Sequence, residues 1–148
     1  MNFFLSFFIV LIDQLSKTLV HAKMNLYDSF NVIPFLLDFT YIRNEGIAFG
    51  INFPGGKIFF IVFPILITLY MISLLKNEEF QDNSSQIALF LIIGGAIGNI
   101  LDRIFRGYVI DFIDFHINGA HWYIFNIADS SVTIGLLFLL YSSILIKK

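Results

Sequence analysis

Four long apolar stretches separate the polar parts of this 148-residue chain. They run over residues 3–20, 58–75, 84–104 and 127–146, and each approaches the roughly 20 residues that a helix needs to cross a bilayer. An open sheet would leave backbone groups unpaired in lipid, so these stretches are predicted to be helices. Only 14% of the residues are charged and the mean hydropathy is +0.82. We therefore predict one integral membrane domain, residues 1–148, with four transmembrane helices.

The first stretch has an alternative interpretation as a cleaved signal peptide, because Val20-His21-Ala22 loosely fits a cleavage site. Asp13 interrupts its apolar core, and no basic residue precedes that core beyond the amino terminus itself. Both features favour a retained helix.

The unusual polar residues fall on one side of a four-helix arrangement. If all four stretches cross, then the exits of the first and third helices and the long loops that follow them share one side of the membrane. The short linker 76–85 and the termini lie on the other. By the positive-inside rule the Lys and Arg count would put the polar-rich side in the cytoplasm, but several of these cations have a neighbouring carboxylate, so the count leaves orientation open. The polar-rich side holds Asp13, Lys17, Arg43, Asn44, Glu45, Asn99, Asp102, Arg103, Asp111, Asp114, Asn126 and Asp129.

The two long loops have the composition of strands. Residues 30–42 and 108–115 are rich in β-branched and aromatic side chains, and Pro54-Gly55-Gly56 supplies a turn signal. We predict an all-α membrane fold that carries a small β-sheet at the membrane surface, chiefly from residues 24–56. Gly94 and Gly98 form a small-xxx-small step, which predicts close packing of the third helix against a neighbour.

Asp111 and Asp129 are the candidate catalytic pair. Asp129 stands at the entrance of an uncharged helix, where an N-terminal cap is the simpler interpretation of it alone. Asp111 lies among large apolar residues, and alone it is simply a solvated loop carboxylate. Two carboxyl groups held together in an apolar setting cannot both ionise, so they share a proton. One can then accept a proton from water while the other protonates a peptide carbonyl, as in aspartic proteases.

Asp114 is the natural competitor of Asp111, because the two are three residues apart. In a strand they point to opposite faces, so only one of them can join Asp129. Asp13 and Lys17 are spaced as an i,i+4 ion pair near the exit of the first helix.

Asp102-Arg103, at the end of the third helix, has two interpretations. It is either an anchor at the membrane interface or a set of hydrogen bonds that holds the site.

Other chemistries have less support. The chain has no cysteine, which excludes disulfides, thiol nucleophiles and Cys-ligated metal sites. With a net charge of -2 and no basic cluster, nothing indicates a nucleic-acid partner. His21, His116 and His121 lack the spacing of zinc peptidases. A hard-cation site built from Asp111, Asp114 and His116 remains an alternative.

A Ser/Lys nucleophile is also conceivable from Ser16 with Lys17, or from Ser130 and Ser131. These serines are more simply hydrogen-bonding groups in helices. Two further function classes stay open on the residues alone: a transporter or proton channel whose buried charges form a relay, and a structural subunit that would tolerate replacement of both aspartates.

Five ordered blocks together resemble the lipoprotein signal peptidases, the type II signal peptidases of bacteria. The blocks span nearly the whole chain, and their order and spacing are far more specific than any one of them. They are Asp13-Gln14-Leu15-Ser16-Lys17, Arg43-Asn44-Glu45-Gly46-Ile47-Ala48-Phe49-Gly50, Gly98-Asn99-Ile100-Leu101-Asp102-Arg103, Val109-Ile110-Asp111-Phe112 and Phe125-Asn126-Ile127-Ala128-Asp129-Ser130.

The resemblance implies an intramembrane aspartic endopeptidase that cleaves diacylglyceryl-modified prolipoproteins before the lipidated cysteine. It implies a bacterial cytoplasmic membrane protein, monomeric, with its active site and a substrate-embracing β-cradle on the extracytoplasmic side, and with no metal or organic cofactor. The catalytic pair would be Asp111 and Asp129. The residues implied to bind substrate or support the site are Asn44, Gly46, Asn99, Arg103, Asn126, Ala128 and Asp13.

Overall fold

The computed structural model describes residues 3–46, 56–117 and 119–145. Four α-helices and four strands occur in these ranges, with a short 3-10 helix at Glu78–Phe80. The elements in chain order are α1 (Phe3–Lys23), β1 (Ser29–Ile33), β2 (Leu37–Asn44), α2 (Gly56–Leu74), α3 (Asn83–Phe105), β3 (Val109–Ile117), β4 (Ala120–His121) and α4 (Ile127–Leu145). The predicted helices are all present, and their observed ends differ from the predicted ones by three residues or fewer.

Three of the helices have the length and apolarity of membrane spans. They are α1, α3 and α4, whereas the apolar part of α2, Ile58–Leu74, is shorter. Large apolar side chains stay exposed along α1, including Phe4 (74% exposed) and Leu19 (62% exposed). Apolar side chains that remain exposed along a long helix are expected where lipid, rather than water, surrounds it.

Helix α3 is the centre of the bundle, since it packs against each of the other three helices. Glycines on α3 allow this close packing. A Cβ on Gly95 would lie 2.3 Å from the Ala128 carbonyl oxygen of α4, and one on Gly94 would lie 2.9 Å from the backbone of Ser6 in α1. The predicted Gly94–Gly98 step is thus a packing surface, and Gly95 extends it toward α4.

The sheet joins two distant parts of the chain. Its strand order is β1-β2-β3-β4 and every pairing is antiparallel. The predicted strand region 30–42 is divided by a turn, because the Leu36 amide donates to the Ile33 carbonyl after β1. The sheet is therefore not built only from the predicted cradle residues 24–56. Half of its strands come from the segment between α3 and α4.

The β2–β3 pairing fixes the position of the site. Asn44 in β2 pairs with Val109, and Ile42 pairs with Asp111. Behind these strands, Tyr41, Ile110 and Phe112 form a buried apolar cluster with Val20 of α1. This cluster attaches the sheet to the end of α1.

Candidate active site

A buried ammonium group connects α1 with α3. Lys17 Nζ contacts Asp13 Oδ2 at 2.9 Å, Asp102 Oδ2 at 3.0 Å and Asn99 Oδ1 at 2.9 Å. The side chains of Lys17, Asp13 and Asp102 are all completely buried. The predicted Asp13–Lys17 ion pair is confirmed, but it lies inside the bundle and includes a second carboxylate.

The same network positions the start of α4 and the sheet. Asp13 Oδ1 accepts from the Ala128 amide at 2.9 Å, and Asp102 Oδ2 accepts from the Ile110 amide at 3.2 Å. A Cβ on Gly98 would lie 2.6 Å from Asp13 Oδ2. Of the two interpretations of Asp102, the structure therefore supports the one in which it holds the site together.

Asn126 contacts both candidate carboxylates. Its Nδ2 donates to Asp111 Oδ1 at 2.6 Å, and its backbone amide donates to Asp129 Oδ2 at 3.3 Å. In return, Asn126 Oδ1 accepts from the Asp129 amide at 2.9 Å. This reciprocal arrangement is a capping box, with Asn126 as the cap of α4. The interpretation of Asp129 as the cap itself was wrong, because Asp129 lies in the first turn of α4.

Two further asparagines donate hydrogen bonds to the two carboxylate oxygens of the pair that Asn126 does not contact. Asn99 Nδ2 donates to Asp129 Oδ1 at 2.7 Å, and Asn44 Nδ2 donates to Asp111 Oδ2 at 3.0 Å. The orientation of Asn99 is set by Lys17, which donates to the amide oxygen and so turns Nδ2 toward Asp129. Asn44 is held in the same way, since its Oδ1 accepts from the Gly46 amide at 2.9 Å.

Asp111 lies in a setting that favours its neutral form. Its side chain is fully buried on β3. Burial raises the pKa of Asp111 to about 6, and the charge on Asp129 contributes to that rise. The donated hydrogen bonds from Asn44 and Asn126 act in the opposite direction. A carboxyl group of this kind can hold a proton close to neutral pH beside an ionised partner.

Asp114 has a different set of partners from Asp111. Its Oδ2 accepts from Thr40 Oγ1 at 2.8 Å, and its Oδ1 lies 2.9 Å from His121 Nδ1. The alternation of side chains along β3 separates it from Asp111, as predicted. The proposed hard-cation site from Asp111, Asp114 and His116 is therefore not assembled. The described residues hold no group of three His, Asp or Glu side chains arranged to bind a metal ion.

A cleft of about 790 Å³ opens beside the pair. Asp129, Arg103 and Asn44 supply its polar wall. Arg103 lies at the site because it lines this cleft together with Asp129, and its Nη1 donates to the Asn99 carbonyl at 3.3 Å. The rest of the wall is mainly aromatic and apolar, formed by Phe115, Trp122, Tyr123, Phe125, Ser130, Thr133 and Ile134.

Gly46, at the edge of the site, has a φ of +85°, and a Cβ there would lie 2.7 Å from the ring of Phe60. The backbone needs glycine at this position for both reasons. The rest of its sequence block, residues 47–50, lies outside the described residues.

The serine alternatives are engaged elsewhere. Ser16 Oγ donates to the Asp13 carbonyl, and Ser130 and Ser131 donate to carbonyls one turn earlier in the chain. Lys17, which a Ser/Lys mechanism would need as a base, is surrounded by carboxylates. Sequence reasoning missed Tyr123, whose hydroxyl lies 2.9 Å from Asn44 Nδ2. In the sequence, Tyr123 stands out only as an aromatic residue three positions before Asn126.

Known proteins are similar to this chain in sequence and in fold. The family model described as signal peptidase (SPase) II matches residues 5–145. A lipoprotein signal peptidase of Staphylococcus aureus (strain bovine RF122 / ET3-1) is 41% identical over 133 residues, covering 90% of this chain and 81% of the relative. A lipoprotein signal peptidase of Alteromonas mediterranea is 41% identical over 128 residues, covering 84% of this chain and 70% of the relative.

Two solved structures agree with the sequence relatives. A bacterial membrane enzyme determined by the in meso method at 1.9 Å matches with a TM-score of 0.88 and 37% identity, over 96% of this chain and 91% of that chain. A second bacterial membrane enzyme, at 2.3 Å, matches with a TM-score of 0.84 and 38% identity, over 95% of this chain and 88% of that chain. The resemblance based on five sequence blocks is confirmed, and the protein belongs to the signal peptidase II family of membrane enzymes.

Proposed function

We propose that this enzyme removes the signal peptide from diacylglyceryl-modified prolipoproteins, cutting before the lipidated cysteine, and that Asp111 and Asp129 are its catalytic pair. Membership of the signal peptidase II family supports the substrate class. The contact of Asn126 with both carboxylates, beside an open cleft, is the observation that carries the assignment of the pair.

The chemistry follows from two carboxyl groups that share one proton. The ionised group takes a proton from water while the water oxygen bonds to the scissile carbonyl carbon. The neutral group gives its proton to the carbonyl oxygen, which yields a tetrahedral intermediate. When the intermediate collapses, the group that took the proton from water gives it to the leaving amine and the C–N bond breaks. The other group takes a proton back from a hydroxyl of the intermediate, which leaves a carboxylic acid and restores the pair. Asn44, Asn99 and Asn126 hold the two carboxyl groups in place during these transfers.

The other site residues have supporting roles in this proposal. Asp13 holds the Ala128 amide, which fixes the first turn of α4 and with it Asp129. Arg103 lines the polar end of the cleft, and Gly46 orients Asn44 through its backbone amide. The aromatic wall gives apolar surface to a lipidated peptide that arrives laterally from the bilayer. No cofactor takes part in the proposed reaction.

We also propose four membrane crossings, with the site on the extracytoplasmic side of a bacterial cytoplasmic membrane. The sheet supports the number of crossings. Because β2 pairs with β3, Asn44 and Val109 lie on the same side, and the chain between them crosses the membrane an even number of times. Helix α3 is one crossing, so α2 is the second. We further propose that the enzyme acts as a monomer, since contacts within one chain hold the described groups of the site in place.

Replacement of either aspartate by asparagine tests the pair. Asp111→Asn and Asp129→Asn keep the side-chain size but cannot exchange a proton, so we expect cleavage of a diacylglyceryl-modified prolipoprotein to fall by at least about 10³-fold. The measurement is release of signal peptide by detergent-purified enzyme, with thermal melting to confirm that each variant is folded.

Asp114→Asn is the matched control, because Asp114 is also a buried carboxylate and lies on the same strand as Asp111. We expect it to keep substantial activity. Cleavage by either variant of the pair would refute the dyad. If the protein were a proton channel, the variants of the pair would lose proton flux and the wild-type protein would not cleave the substrate.

A further inference from the structure

We infer that the hydroxyl group of Tyr123 donates a hydrogen bond to the carbonyl oxygen of the scissile peptide bond and stabilises the negative charge that develops there. The inference rests on the proposed function, because it takes the Asp111–Asp129 pair as the reacting centre. It assigns to the reaction a residue outside the five sequence blocks.

The backbone fixes the position of Tyr123 on both sides. The Trp122 amide donates to the Phe115 carbonyl at 2.7 Å, and the Phe125 amide donates to the Ile113 carbonyl at 3.1 Å. The segment between β4 and α4 is thus held along β3. Tyr123 lies between the two attachment points and lines the cleft. A side chain on such a segment is well placed to contact the same substrate atom in every catalytic cycle.

The hydroxyl group lies beside Asp111. Asn44 Nδ2 donates one hydrogen to Asp111 Oδ2 at 3.0 Å and the other to Tyr123 Oη at 2.9 Å. Because Asp111 Oδ2 and Tyr123 Oη both accept from Asn44 Nδ2, these two oxygens lie near each other. A carbonyl oxygen that meets the acid of the catalytic pair therefore also comes close to Tyr123.

The direction of these hydrogen bonds leaves the Tyr123 proton available. An amide nitrogen only donates, so Tyr123 Oη is the acceptor in its contact with Asn44. The described residues offer no acceptor for the Tyr123 hydroxyl hydrogen, which can point into the cleft. Partial burial raises the pKa of Tyr123 above its ordinary value, and the charge on Asp111 adds to the rise. The group thus keeps its proton at neutral pH and acts as a donor.

Tyr123→Phe tests the inference, because it removes only the hydroxyl oxygen and its hydrogen. Loss of one such donor costs roughly 10²-fold in kcat. We therefore expect kcat for a diacylglyceryl-modified prolipoprotein to fall by about 100-fold, with KM within about twofold of the wild-type value, since the bond strengthens only in the transition state. Tyr141→Phe is the matched control. It removes the same atoms from an exposed residue of α4 that lies outside the site, and its activity should equal that of the wild type.

The pH profile separates this role from a structural one. If Tyr123 acted only by holding Asn44, its loss would alter the hydrogen bond from Asn44 to Asp111 and shift the pH at which kcat/KM is half-maximal. We expect that pH to be unchanged in Tyr123→Phe. A wild-type kcat, or a reduced kcat with a shifted profile, would overturn the inference. Asp111→Asn and Asp129→Asn in the same assay report separately on the proposed function, because their activity would refute the pair whatever Tyr123 does.

Discussion

Lys17 shows how a fully buried charge can be accommodated within a membrane-spanning helix. An ammonium group has three hydrogens, and here each has an acceptor: Asp13, Asp102 and Asn99. The two carboxylates are further satisfied by amide groups of α4 and β3. The lysine therefore joins α1 to α3 directly, and α4 and β3 through the two carboxylates, without touching either proposed catalytic group.

Lys17→Met should strongly destabilise the protein. The substitution leaves the buried Asp13 without its cation and leaves Asp102 with Arg106 as its ion-pair partner. Loss of one partner from a buried ion pair costs about 3–5 kcal/mol. We expect a lower midpoint of thermal unfolding in detergent. Because Lys17 also orients Asn99, cleavage should fall even at temperatures where the variant is folded.

Lys23→Met is the control for this prediction. Lys23 is an exposed lysine in the last turn of the same helix, so the same change should alter the free energy of unfolding by no more than about 0.5 kcal/mol and leave the midpoint close to that of the wild type. Equal midpoints for Lys17→Met and Lys23→Met would show that the buried network contributes nothing to stability.

At the scale of elements, the close packing of α3 against α4 depends on glycines, which have no side chain at the contact. Gly95→Ala would introduce a Cβ 2.3 Å from the Ala128 oxygen, which is backbone and cannot rotate away. We expect a loss of about 1–3 kcal/mol in the free energy of unfolding, measured by titration with a denaturing detergent. Activity should also fall, since Ala128 precedes Asp129.

Gly135→Ala probes the same contact from α4, where the new Cβ would lie 2.8 Å from the Ala88 oxygen. It should destabilise the protein while leaving the catalytic end of α4 less disturbed. If neither variant changes the unfolding midpoint, close packing of the two helices is not what holds them together.

The helices and the outline of the site were predictable from sequence, because their signals are local. Apolar length predicted the helices, and strand alternation separated Asp111 from Asp114. The details that depend on contacts between distant residues were not predictable. Nothing local indicates that Lys17 also contacts Asp102. The cap at Asn126 did have a local signal, since Asn126 and Asp129 have the spacing of a capping box. Tyr123 has no local pattern at all, since its relevance depends on the β2 residue Asn44.

For the whole molecule, the proposed topology makes the two ends of the bundle distinguishable by chemical labelling. The chain has no cysteine, so a single introduced cysteine gives an unambiguous signal. We expect Ala120→Cys, exposed on β4, to react in intact cells with a thiol reagent that cannot cross the cytoplasmic membrane. Glu78→Cys, exposed in the linker between α2 and α3, should react only after that membrane is permeabilised.

The labelling pattern tests both the orientation and the fourth crossing. If both cysteines react from outside, α3 does not span the membrane, and because β2 pairs with β3, α2 does not span it either. If Glu78→Cys reacts in intact cells and Ala120→Cys does not, the active site faces the cytoplasm, as the simple count of Lys and Arg would suggest. Retained cleavage by both variants would show that the substitutions leave the protein folded.

The order in which the groups of the site occur along the chain matters during biosynthesis. Helix α1 enters the membrane with Asp13 and Lys17 already able to neutralise each other, because they are one turn apart. Asn44 and Asp111 follow, and they meet when β2 pairs with β3. A nascent chain that ends before α4 still lacks Asn126 and Asp129, so it has only one of the two acids that the proposed reaction needs. If Asp111 and Asp129 are the catalytic pair, as proposed, the protease stays inactive throughout its own insertion and gains activity in the step in which α4 docks on α3.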